Sequence, residues 1–70
     1  MQHFSQEYLE KLTAEHKLVS ATITHITHNK YPIFVRQHGV DVVTSAVSNL
    51  KTRKVELEGM IDILSEYLNG

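Results

Sequence analysis

The sequence predicts an all-α protein: an antiparallel helical hairpin that assembles with copies of itself into a homo-oligomeric helical bundle. Three observations predict it. Two long stretches repeat their apolar residues every three or four positions. A short segment containing Pro32 and Gly39 separates them. The second stretch is apolar over more of its circumference than one companion helix can cover.

In the first stretch Leu9, Leu12, His16, Val19, Ile23 and Ile26 keep a three-four rhythm that holds one stripe toward a partner helix. Ser5 is the expected N-cap, and Glu7 sits in the first turn, where the helix dipole favours negative charge. Glu7 and Lys11 form an i,i+4 pair in the favourable order. Thr22, Ile23, Thr24, Ile26 and Thr27 have high strand propensity, yet the stripe runs through them unbroken, so helix is expected. The helix is expected to end near Asn29, a left-handed cap, with Tyr31 pushed toward extended backbone by Pro32.

The second stripe is Val43, Val47, Leu50, Lys54, Leu57, Ile61, Leu64 and Leu68. Read backwards it meets Val40, Arg36 and Ile33, which favours a helix restarting at Pro32 with a kink at Gly39. The alternative starts the helix at Asp41 and leaves 30 to 40 as a loop. Asn69 and Gly70 close it. Two helices joined by a short turn make a hairpin, one domain over residues 1–70.

Circumference and length both point to association. Ala46, Leu50, Leu57, Met60, Leu64 and Tyr67 form another apolar row, widened by Val42, Val55 and Ile63. A helix over 6–28 would be about 35 Å long and one over 41–68 about 42 Å, at ~1.5 Å per residue. The end with Ile61, Leu64, Tyr67 and Leu68 then has only Phe4 and Tyr8 to cover it. Leu50, Leu57, Met60, Ile61, Leu64, Tyr67 and Leu68 are therefore the expected oligomer interface, and two hairpins would make a four-helix bundle of coiled-coil type. A chain this small, with no cysteine to cross-link it, normally gains stability by such association. His16 lies opposite Arg53 and Lys54; the favoured reading lays their alkyl stems on the seam and sends their charges to Glu56, Glu58 or Glu15.

Composition narrows the function. Without cysteine there is no thiol catalysis, thiolate zinc or redox role. Seven Lys and Arg against eight Asp and Glu give no field for duplex DNA, and Lys51, Arg53 and Lys54 read as a solvated patch. No apolar run approaches the ~20 residues of a membrane span, and the N-terminus does not read as a signal peptide, so a cytoplasmic protein is expected. No serine elbow or carboxylate pair argues for an enzyme, and no cofactor is expected. His25 and His28, with His38 across the turn, could chelate a metal, but they read better as cations near a helix end, so no metal is expected.

The segment around the turn is the richest in binding chemistry. Tyr31 and Phe34 offer stacking faces, and Lys30, Arg36 and His38 offer charge for anionic oxygens. These five residues are the expected ligand site, holding a small anionic ligand such as a nucleotide between chains. In size, lack of cysteine and expected helical assembly the chain is similar to small phage-encoded proteins that block or sequester a host component, a likeness of architecture. The leading expectation is a non-enzymatic oligomer that sequesters such a ligand. The alternative is an adaptor or inhibitor that offers its apolar C-terminal overhang to a host protein.

Overall fold

The computed structural model describes residues 5–69, and all the regular structure among them is helical. Helix α1 spans Gln6–Thr24, a π-helical turn follows at His25–Lys30, α2 spans Tyr31–His38, and α3 spans Val40–Asn69. The first three elements make one arm and α3 the other, antiparallel to it. Tyr8 lies beside Leu64 and Tyr67 at one end, and Phe34 lies beside Val42 and Val43 at the other.

The start of α1 is as expected. The backbone N–H of Tyr8 donates to Ser5 Oγ at 3.2 Å, and Glu7 occupies the first turn. Ser5→Ala removes that acceptor and should cost about 0.5–2 kcal/mol, measurable by urea denaturation followed by circular dichroism. An unchanged midpoint would show that the cap contributes nothing. The threonine-rich stretch stays helical with Ile23 packed on the seam, and two of its hydroxyls bond back to the preceding turn. Thr22 Oγ1 donates to the Leu18 carbonyl and Thr27 Oγ1 to the Ile23 carbonyl, both at 2.8 Å.

Three expectations about the turn are corrected. The first arm does not end near Asn29; it runs on through the π-helical turn, and among the described residues no non-glycine residue, Asn29 included, has positive φ. Tyr31 is helical (φ −54°, ψ −52°) rather than extended. In an unbroken α-helix the Pro32 ring would meet the carbonyl four residues back. The wider π turn shifts that carbonyl, and Pro32 then sits in the first turn of α2, where its missing N–H costs least.

The third correction concerns the start of the long helix. It is neither Pro32 nor a loop-then-Asp41 arrangement, because 31–38 is helical but belongs to the first arm. Gly39 (φ 91°, ψ 151°) separates α2 from α3, and α3 begins at Val40 with Asp41 in its first turn. This is why the backward extension through Val40, Arg36 and Ile33 fails. The break at Gly39 resets the phase, and all three side chains are exposed.

The seam follows the two stripes. Leu12, Val19, Leu57 and Leu64 form a buried cluster, with Tyr8, Leu9, Ile23, Leu50, Met60 and Ile61 packed on it. Val43 and Val47 are buried nearer the turn. Leu57 is the best protected, at 0% exposure. Phe4 and Gly70 lie outside the described residues. The molecule measures 48 × 18 × 17 Å, a rod two helices thick.

Candidate functional site

A two-helix rod has a seam and two open flanks, and the contacts sort the side chains between them. One flank carries Tyr8, Glu15 and Ile26 from the first arm beside Val42, Ala46, Arg53, Met60, Ile63 and Tyr67 of α3. The other carries His16 and Thr27 beside Thr44, Ser48, Lys51 and Glu58.

The first flank is apolar at both ends and charged in the middle. At the C-terminal end Tyr8, Met60, Ile63, Leu64 and Tyr67 line a cleft of about 200 Å³. At the turn end Ile26, Phe34, His38, Val42, Val43 and Ala46 line a second, of about 180 Å³. Between them Arg53 Nε donates to Glu15 Oε2 at 2.9 Å, and its Nη1 lies 3.5 Å from Glu56 Oε1. The hydrogen bond and charge of Glu15, with a smaller contribution from Glu56, hold the guanidinium pKa above its ordinary value. This agrees with the expectation that Arg53 reaches Glu15 or Glu56. Glu58 instead accepts from His16 Nε2 at 3.0 Å.

The expected ligand residues do not meet within one chain. Phe34 and His38 stand one turn apart, with ring centroids 6.4 Å apart at 53°, and share the turn-end cleft. Tyr31 lines a different cleft on the opposite flank, about 260 Å³, with Thr27, Thr44, Val47, Ser48 and Lys51. Arg36 is exposed and lies two residues from both Phe34 and His38, about 200° around the helix from each. Lys30 is half-buried at the end of the π turn. The helical spacing of 31–38 spreads residues that are neighbours in sequence over different faces.

The expected interface residues also divide. Leu57 and Leu64 are buried in the chain's own seam, where α1 covers them. Leu50, Met60, Ile61 and Leu68 are half-buried, while Tyr67 is 66% exposed. Ile63 (68%) and Val42 (57%), which the sequence marked only as widening the apolar arc, are among the most exposed large apolar residues. Leu18 on α1 is equally open and was not foreseen, since it lies off the seam stripe.

Among the described residues no group of three or more His, Asp or Glu is placed to share a metal ion, and no helix is long and apolar enough to cross a membrane. Comparison with protein-family models, with curated proteins and with solved structures yields no significant match.

Proposed function

We propose that the chain is a non-enzymatic, self-assembling helical hairpin of the cytoplasm that acts as a protein-interaction module through its apolar flank. One observation carries the reading. The chain is too extended to satisfy itself: its radius of gyration is 15.4 Å, where a compact domain of this length has about 11 Å. Its surface points the same way, at 5339 Å² against the roughly 4,450 Å² typical of an 8.0 kDa monomer. Packing hairpins flank to flank supplies the missing layer and makes a bundle. The cleft of Tyr8, Met60, Ile63, Leu64 and Tyr67 supports a helical partner over a charged small molecule, because aliphatic and aromatic side chains line it. Sedimentation velocity at micromolar concentration tests the reading. The expected species is heavier than 8.0 kDa, and a folded monomer would overturn it.

A second reading keeps the anionic ligand, held between chains by Lys30, Tyr31, Phe34, Arg36 and His38. The cleft that places Lys51, Thr44 and Ser48 beside Tyr31 favours it, since an aromatic face next to a cation and hydroxyls suits a nucleotide. Calorimetry with a nucleotide panel should then show binding that Arg36→Ala weakens at least tenfold. Absence of binding, or indifference to the substitution, ends that reading.

A further inference from the structure

The self-assembly proposed above leaves open which surfaces meet, and the spacing of residues along the exposed flank of α3 answers this. From Val42 to Tyr67, positions 42, 46, 49, 53, 56, 60, 63 and 67 form one row of alternating four and three spacing, and every one of them is exposed or half-buried. Any such row can lie antiparallel on a copy of itself with each residue opposed by another, as an isologous twofold contact requires, so the chemistry of the opposed pairs decides.

We propose that a second copy of this chain docks on the flank, with the two α3 helices antiparallel and the twofold axis passing between Arg53 and Glu56. In that register Val42 of one protomer opposes Tyr67 of its partner, Ala46 opposes Ile63, Asn49 opposes Met60, and Arg53 opposes Glu56. Three of the four pairs match in chemistry, Asn49 against Met60 being the exception. The apolar C-terminal cleft of one chain lies over the apolar turn-end cleft of the other, so each covers surface that its own chain leaves open. Ala46 faces the larger Ile63 and Val42 the larger Tyr67, which lets the layers interdigitate.

At the centre, charges of opposite sign meet. Arg53 uses Nε on Glu15 and Nη1 on Glu56 of its own chain, and the guanidinium has five N–H donors, so it can also reach Glu56 of the partner. A parallel arrangement in register would instead set Arg53 on Arg53 and Glu56 on Glu56. The polar centre thus selects orientation, as charged seam positions do in coiled coils.

Cross-linking with single cysteines tests the arrangement, because the native chain has none. Ala46→Cys and Ile63→Cys are prepared separately, and both positions are exposed, so the hairpin itself is preserved. Mixed and treated with a short bismaleimide, the two variants should form a covalent heterodimer. Each alone should not cross-link, since position 46 and its symmetry mate stand about 25 Å apart along the axis at ~1.5 Å per residue. Self-linking of Ala46→Cys alone would indicate a parallel contact and overturn the inference. So would a mixture that stays unlinked although sedimentation shows a dimer, and that outcome would leave the self-assembly reading standing. A monomer in sedimentation removes both.

Discussion

Leu57→Ala should lower the unfolding free energy by about 2–5 kcal/mol, the range for truncating a fully buried leucine. Leu57 sits where α3 crosses the middle of α1, in one cluster with Leu12, Val19 and Leu64, and no part of it reaches solvent. A two-layer rod has little material with which to collapse around the hole, so the upper half of the range is expected. The whole chain can draw on only about 4–10 kcal/mol, at ~0.05–0.15 kcal/mol per residue. The loss is therefore large enough to leave much of the protein unfolded at room temperature. Val55→Ala on the same helix provides the control. Val55 is 66% exposed, and the substitution should change stability by no more than about 0.5 kcal/mol. Both variants are to be compared by urea denaturation at one fixed protein concentration, because association would make the midpoint concentration-dependent. Equal midpoints for Leu57→Ala and wild type would mean that the seam described here is not what holds the arms together.

The seam was legible in the sequence because burial in a two-helix contact depends only on a three-four repeat, which both long stretches carry without interruption. Even the polar members of the stripes, His16 and Lys54, stand half-buried, as that repeat requires. The turn was not legible, because two local signals competed there. Pro32 and Asn29 looked like the end of one helix, while Gly39 looked like a tolerable defect inside the next. The backbone resolves the conflict the other way: a π-helical turn absorbs Pro32, and Gly39 makes the reversal. A π turn leaves no mark in hydrophobic periodicity beyond a one-residue slip, and Ile26 to Phe34 is too short an interval to show it. Within one chain Tyr31 and Phe34 line clefts on opposite flanks, and Arg36 lies about 200° around the helix from Phe34 and His38, a dispersal that a helix from Pro32 already implies. The breadth of the apolar arc on α3 was read correctly. Which part faces α1 and which stays open, Leu57 and Leu64 against Ile63 and Tyr67, depended on the position of the first arm, and that followed from the turn.

Gly39→Ala and Gly59→Ala, the same substitution at two glycines, should shift stability in opposite directions. Neither new methyl group would meet another atom within 4 Å, so crowding cannot account for either effect and the backbone must. Gly39 has φ 91° and ψ 151°, a conformation open in practice only to glycine, and forcing a side chain to adopt it costs on the order of 1–3 kcal/mol. The strain cannot be relieved locally, because this residue serves both arms. Its N–H donates to the Val35 carbonyl at 2.8 Å and its carbonyl accepts from Val43 N at 3.2 Å. Alanine at 39 prefers ordinary helical torsions, which would join α2 to α3 as a straight rod and draw the first arm off the seam. Gly59 instead lies within α3, exposed and already helical, where alanine restricts only the unfolded chain and should add about 0.5–1 kcal/mol. At about 4–8 °C per kcal/mol for a domain of this size, Gly39→Ala should melt roughly 5–20 °C below wild type and Gly59→Ala about 2–8 °C above it. Thermal melts followed by circular dichroism at matched concentration decide the matter. If Gly39→Ala melts at or above the wild-type temperature, the reversal of the chain does not depend on that left-handed residue, and the hairpin must turn in some other way.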